Sequence, residues 1–140
     1  MKGPEHGFTL LEALLVLFIT VTVLAISQVA SFHTAKQFTD ERTVAQIKYD
    51  LLLTQTTAMR TYDPKIFFVG TTTYELDYPV KQNYRSLPEG TTFTITGHLG
   101  REVKYNGNGS PSALGSFYYD GLLKRYKFTL QLGRGRITVE

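Results

Sequence analysis

No cysteine occurs anywhere in the 140 residues. Disulfides, thiolate metal ligands, lipid-modified cysteines and thiol nucleophiles are therefore excluded together. Histidine is almost as scarce. His6, His33 and His98 share no metal-ligand spacing, and none stands at a motif distance from an acid, so neither a metal nor a cofactor is expected. No Gly-x-Ser-x-Gly elbow is present. The Gly-x-Gly pairs at 107–109 and 133–135 open no helical pattern and precede no Lys-Ser/Thr, so they read as hairpin punctuation rather than phosphate loops. No catalytic residue is expected, and no enzyme. The length leaves room for one domain beyond a membrane anchor.

Two further absences are local. Residues 13–60 contain neither Gly nor Pro, and the first breaker after Gly7 is Pro64. One helix from about Phe8 to about Arg60 is predicted, roughly 80 Å long at 1.5 Å per residue. Within it, the 23 residues from Phe8 to Ala30 hold a single charge, Glu12. Leu10, Leu11, Leu14, Leu15, Val16, Leu17, Phe18, Ile19, Val21, Val23, Leu24 and Ile26 supply the apolar surface of a membrane span about 34 Å long. Its β-branched residues are poor helix formers in water, but in lipid the backbone has no other way to bond itself. Thr20, Thr22 and Ser27 can bond back to carbonyls one turn earlier. A carboxylate in such a span costs on the order of 2.5–3.5 kcal/mol, less near the interface, so Glu12 needs a partner.

From Ser31 the helix changes character. Val44, Ile47, Leu51 and Ala58, with Ala45, Leu52 and Met59 beside them, fall on one face, while Asp40, Glu41, Arg42, Lys48 and Asp50 supply a polar side. Beyond Lys65 the period drops to two: 66–69, then Tyr74, Leu76 and Tyr78, then Phe93 and Ile95, Val103 and Tyr105, Phe117–Tyr119, Phe128–Leu132, Ile137 and Val139. Pro79, Asn83, Pro88 and Gly90 mark a longer connection, and 106–111 is dense turn chemistry. The expectation is an α+β fold: five to seven short strands in a meandering antiparallel sheet. Phe93, Ile95, Phe128, Leu130 and Ile137 would be buried against the amphipathic half-helix.

The run Gly7-Phe8-Thr9-Leu10-Leu11-Glu12 resembles the class III leader of type IV pilins and pseudopilins. That resemblance implies a pilin-like fold, with residues 1–7 a leader, 8–30 a membrane and assembly segment, and 31–140 an extracytoplasmic domain (helix to about 60, sheet 65–140). It implies cleavage between Gly7 and Phe8 by a prepilin peptidase, N-methylation of Phe8, and a role for Glu12 in assembly with other pilins. The physics agrees. Cleavage would create an ammonium four residues from Glu12, and in a bundle the amine of one subunit can pair with the carboxylate of a neighbour. A secretory signal fits poorly, since Lys2 is cancelled by Glu5 and Glu12 intrudes on the apolar core. A plain single-pass anchor explains neither Gly7-Phe8 nor Glu12. The lack of cysteine excludes the disulfide-closed loop of many pilins.

Within the family, 126–136 and the turn at 106–110 resemble the competence minor pseudopilins of Gram-positive bacteria. The resemblance implies a filament subunit at the cytoplasmic membrane and cell surface, N-terminus cytoplasmic before processing, that serves DNA uptake. A type II secretion pseudopilin, or an anchored binding domain that never polymerises, remains open. Charge bears on the DNA question. Residues 98–140 hold seven Lys/Arg against three Asp/Glu, whereas 8–97 hold seven against eight. Lys124, Arg125, Lys127, Arg134 and Arg136, with tyrosines near them, are candidate contacts for a DNA backbone. A solvated strand face explains the same residues.

Overall fold

The computed structural model describes residues 9–60, 64–77, 82–96, 99–131 and 136–140. One helix, α1, runs Leu10–Ala58. Thr20 Oγ1, Thr22 Oγ1 and Ser27 Oγ bond to the carbonyls of Leu17, Phe18 and Val23 at 2.7–2.9 Å, as their positions predicted. The chain divides into two compact units, Met1–Ala35 and Lys36–Glu140. The first contributes only helix among its described residues.

The second unit is α+β, as expected. Among the described residues eight strands follow the helix: β1 (Lys65–Val69), β2 (Thr73–Asp77), β3 (Gln82–Ser86), β4 (Thr92–Thr96), β5 (Glu102–Lys104), β6 (Gly115–Asp120), β7 (Arg125–Leu130) and β8 (Ile137–Val139). They do not form one meander. Two four-stranded antiparallel sheets are present, in the orders β3-β2-β1-β5 and β4-β6-β7-β8. β3 occupies what read as a connection, because its polar residues line a sheet edge where alternation is weak. β5 crosses back to pair with β1, so the second sheet begins before the first is complete.

The two sheets meet through aromatic rings. Phe68 and Tyr74 of the first lie 5.1 and 5.7 Å from Phe93 of the second, edge to face, and Phe68 also lies 5.1 Å from Phe117, which stacks at 4.8 Å on its own sheet neighbour Phe128. Alternation sets which side chains turn inward: Ile66 and Phe68, Tyr74 and Leu76, Phe117 and Tyr119, and Tyr126, Phe128 and Leu130 are all buried. Phe93, Phe128 and Leu130 are buried as expected, while Ile95 and Ile137 are only partly so. Each fully buried large side chain is worth about 1.5–3 kcal/mol relative to exposure.

The helix face needs a larger correction. Between Lys36 and Ala58 the buried residues are Asp40, Ile47, Asp50, Leu51, Thr54, Gln55 and Ala58. Asp40 and Asp50, placed by periodicity on the polar side, are buried at the sheets. Ala45, Leu52 and Met59, placed beside the packing face, are exposed. The reason is donor supply. The sheets present N–H and O–H groups that satisfy both carboxylates, which hydrophobic periodicity does not register.

Candidate functional site

Three features could carry function: the N-terminal helix, the helix–sheet anchors and the basic hairpin. At the helix start, Thr9 and Glu12 form a reciprocal cap. The Glu12 N–H donates to Thr9 Oγ1 at 3.3 Å, and Glu12 Oε2 accepts from the Thr9 N–H at 3.4 Å and from Thr9 Oγ1 at 3.5 Å. This is a capping box, Thr-x-x-Glu, which satisfies donors that a helix N-terminus leaves bare. It was legible as a motif and was missed because Glu12 was read only as a buried charge. Both residues are exposed within the chain. The twelve apolar residues expected to span the membrane are 49–81% exposed. By length and composition α1 is able to cross a membrane. Gly7 and Phe8 lie outside the described residues.

Asp40 anchors the second sheet. Its two carboxylate oxygens accept the backbone N–H groups of Leu122 and Leu123 at 2.8 and 2.9 Å, and Tyr119 Oη–H reaches it at 3.4 Å. A Cβ on Gly121 would stand 2.7 Å from this carboxylate, so the β6–β7 turn closes this tightly only with glycine. Asp50 anchors the first sheet. It accepts from Tyr74 Oη–H at 2.7 Å and lies 3.8 Å from the Arg85 guanidinium. A third clamp holds the helix end, where Gln55 Nε2 donates to the Gly109 carbonyl at 2.8 Å. Burial, reinforced by the bond to Asp50, pushes the Tyr74 hydroxyl well above its ordinary pKa. Burial does the same to Tyr105, Tyr119 and Tyr126.

The basic residues are partly brought together. Arg125 and Lys127 share the solvent side of β7, opposite the buried Tyr126, Phe128 and Leu130. Arg125 is bonded to Asp120, which it holds below the usual carboxylate range, and it also lies over the Tyr118 ring at 5.3 Å. Lys124 sits over Tyr126 at 4.6 Å. Lys127 exchanges both backbone hydrogen bonds with Glu140 across the strand pair. Arg136 is exposed just before β8, and Arg134 lies outside the described residues. The Asp120 carboxylate thus stands among the cations.

A long apolar helix leading into helix-backed antiparallel sheets is the layout of a pilin-like fold. The sequence is 33% identical over 151 aligned residues to the competence protein ComGD of Bacillus subtilis (strain 168), an alignment that covers 99% of this chain and 95% of that one. No family model matches the sequence, and no solved structure does. The chain belongs to the ComG-type competence pseudopilins.

Proposed function

We propose that the protein is a non-enzymatic minor subunit of a competence filament that brings DNA to the uptake machinery. A prepilin peptidase removes residues 1–7 between Gly7 and Phe8 and methylates Phe8, and the helix holds the chain in the cytoplasmic membrane until assembly. The observation that carries this reading is the apolar surface that α1 leaves uncovered. Residues Leu10 to Ile26 bury almost nothing within the chain. In the second unit, Phe38, Tyr49, Leu52 and Leu53 are 67, 63, 42 and 36% exposed, on the side of the helix turned away from the sheets. Lipid covers the first surface before assembly; neighbouring pilin helices cover both in a filament. Glu12 then exchanges its bond to Thr9 for the amine of an adjacent subunit. The solvent side of β7, with Lys127 and Arg136 and a smaller share from the Asp120-paired Arg125, is assigned together with Lys124 in the turn before it to weak, sequence-independent contact with DNA.

Glu12→Val tests the reading in competent cells. Insertion should be equal or better, crosslinking to the other pilins should disappear, and transformation should fall to the level of a deletion strain. Unchanged crosslinking would remove the role given to Glu12. Normal transformation with impaired protein export in the deletion strain would turn the reading to secretion.

A further inference from the structure

Two Asn-Gly pairs share one loop, Asn106-Gly107 and Asn108-Gly109. In such a pair the glycine nitrogen readily attacks the preceding carboxamide, because no Cβ stands beside it. The covalent chemistry of the two pairs is the same; their surroundings are not.

At the second pair both reactants are tied. The Gly109 N–H donates to the Asn106 carbonyl at 2.8 Å, closing a β-turn, and the Gly109 carbonyl accepts from Gln55. Gly109 is buried at φ +78°, with Met59 Cε only 2.0 Å from where a Cβ would stand. Asn108 Oδ1 accepts the Ser110 N–H at 3.0 Å. The first pair differs at the attacking nitrogen, since each carboxamide oxygen accepts one hydrogen bond. Asn106 and Gly107 are exposed, and the Gly107 N–H has no acceptor among the described residues. Ser112 Oγ donates to Asn106 Oδ1 at 3.0 Å. That bond draws electron density from Cγ and stabilises the negative charge that develops on Oδ1 during attack.

We propose that Asn106, and not Asn108, is a site of spontaneous intramolecular deamidation. The Gly107 amide nitrogen gives its proton to solvent base and bonds to Asn106 Cγ. The carboxamide C–N bond breaks, and the leaving nitrogen takes a proton from water and departs as ammonia. Water then opens the cyclic imide at either carbonyl, giving Asp or its β-linked isomer. Water is the only co-reactant, and nothing is oxidised or reduced. The product places a carboxylate at the negative end of α1, whose last turn holds no basic residue; a Cβ on the neighbouring Gly107 would lie 3.9 Å from the Ala58 carbonyl oxygen. The β-linked form also lengthens the backbone within the turn and breaks the Asn106–Gly109 bond. The loop is then released from the Gln55 clamp.

The test is incubation of the full chain in detergent with heavy-oxygen water, followed by fragmentation mass spectrometry of the peptide that holds both asparagines. Label should enter at Asn106 at least about fivefold faster than at Asn108, the factor one intact hydrogen bond at the competing nitrogen is worth. The preference should vanish in urea, where the two pairs become equivalent. Gly107→Ala, whose Cβ meets nothing nearer than 3.9 Å, should slow labelling at Asn106 with the fold intact. Ser112→Ala should slow Asn106 and leave Asn108 unchanged. Equal rates in the folded chain, faster labelling at Asn108, no labelling of the folded chain, or a preference that survives urea would each overturn the proposal.

Discussion

The helix α1 applies opposite rules in its two stretches. In residues 10–35 the large apolar side chains are exposed, and so is the single carboxylate, which finds its partner one turn away in Thr9. In residues 36–58 two carboxylates, Asp40 and Asp50, are buried, while Phe38, Tyr49 and Leu52 point outward. The first stretch makes its stability depend on what lies outside the chain, lipid or other helices. The second is held by polar bonds to its own sheets, which leaves its outer apolar face available. Hydrophobicity alone assigns the first stretch its lipid neighbours but puts Asp40 and Asp50 of the second on the wrong side.

Asp40→Ala should break the contrast most severely. It strips the acceptors from Leu122 N–H and Leu123 N–H and should cost about 3 kcal/mol or more in urea unfolding of the second unit. Glu12→Ala in the same assay should change that unit by less than about 0.5 kcal/mol, because Glu12 lies outside it. Equal losses would show that the two carboxylates do not differ as described.

Alkaline pH sharpens the same contrast. Tyr74, Tyr105, Tyr119 and Tyr126 all have folded pKa values raised above their ordinary 10.0. Folding therefore favours their neutral forms. That contribution is complete below 10 and is lost as pH climbs from there toward the folded values. The urea midpoint should hold from neutral pH and then fall steeply past 10, and Tyr74→Phe should soften the fall. A midpoint that ignores this range would contradict the buried hydroxyls.

The smallest effect on stability is expected on the outer face of the helix. Leu52→Ser combined with Tyr49→Ser should alter unfolding by less than about 0.5 kcal/mol, since neither side chain is buried in the chain. Crosslinking to the other pilins should nonetheless decline. A large loss of stability with assembly unchanged would place the covering surface within the chain.

The helix was readable because breakers are missing from 13–60, and the strands because Phe117, Tyr119, Phe128 and Leu130 alternate with polar neighbours. The split into two sheets was not readable. Antiparallel partners leave the same period-two pattern whether close, as Val69 and Thr73, or distant, as Lys65 and Lys104, and the return of β5 to β1 rests on the register of Val103 against Ile66. β3 was hidden because its inward-facing Arg85 meets a carboxylate, Asp50, rather than an apolar core, so polar residues stand on both faces of this edge strand. At the candidate site, Glu12 stood out as a charge among apolar residues, yet its bond to Thr9 required attention to a three-residue spacing. Asp40 could not be found from periodicity, because its donors lie more than eighty residues away.

That separation also sets a schedule. Asp40 and Leu122 are 82 residues apart. A ribosome adding roughly 5–20 residues per second needs on the order of ten seconds to make the second after the first. Until then Asp40 lacks its backbone donors, while Asp50 already has Tyr74 and Arg85 and β1 already has β2. A chain stalled before the β6–β7 turn holds one buried-type carboxylate, Asp40, without the backbone donors that satisfy it. The late β6–β7 turn therefore completes the buried face of the half-helix, and does so only when almost all of the domain has been made.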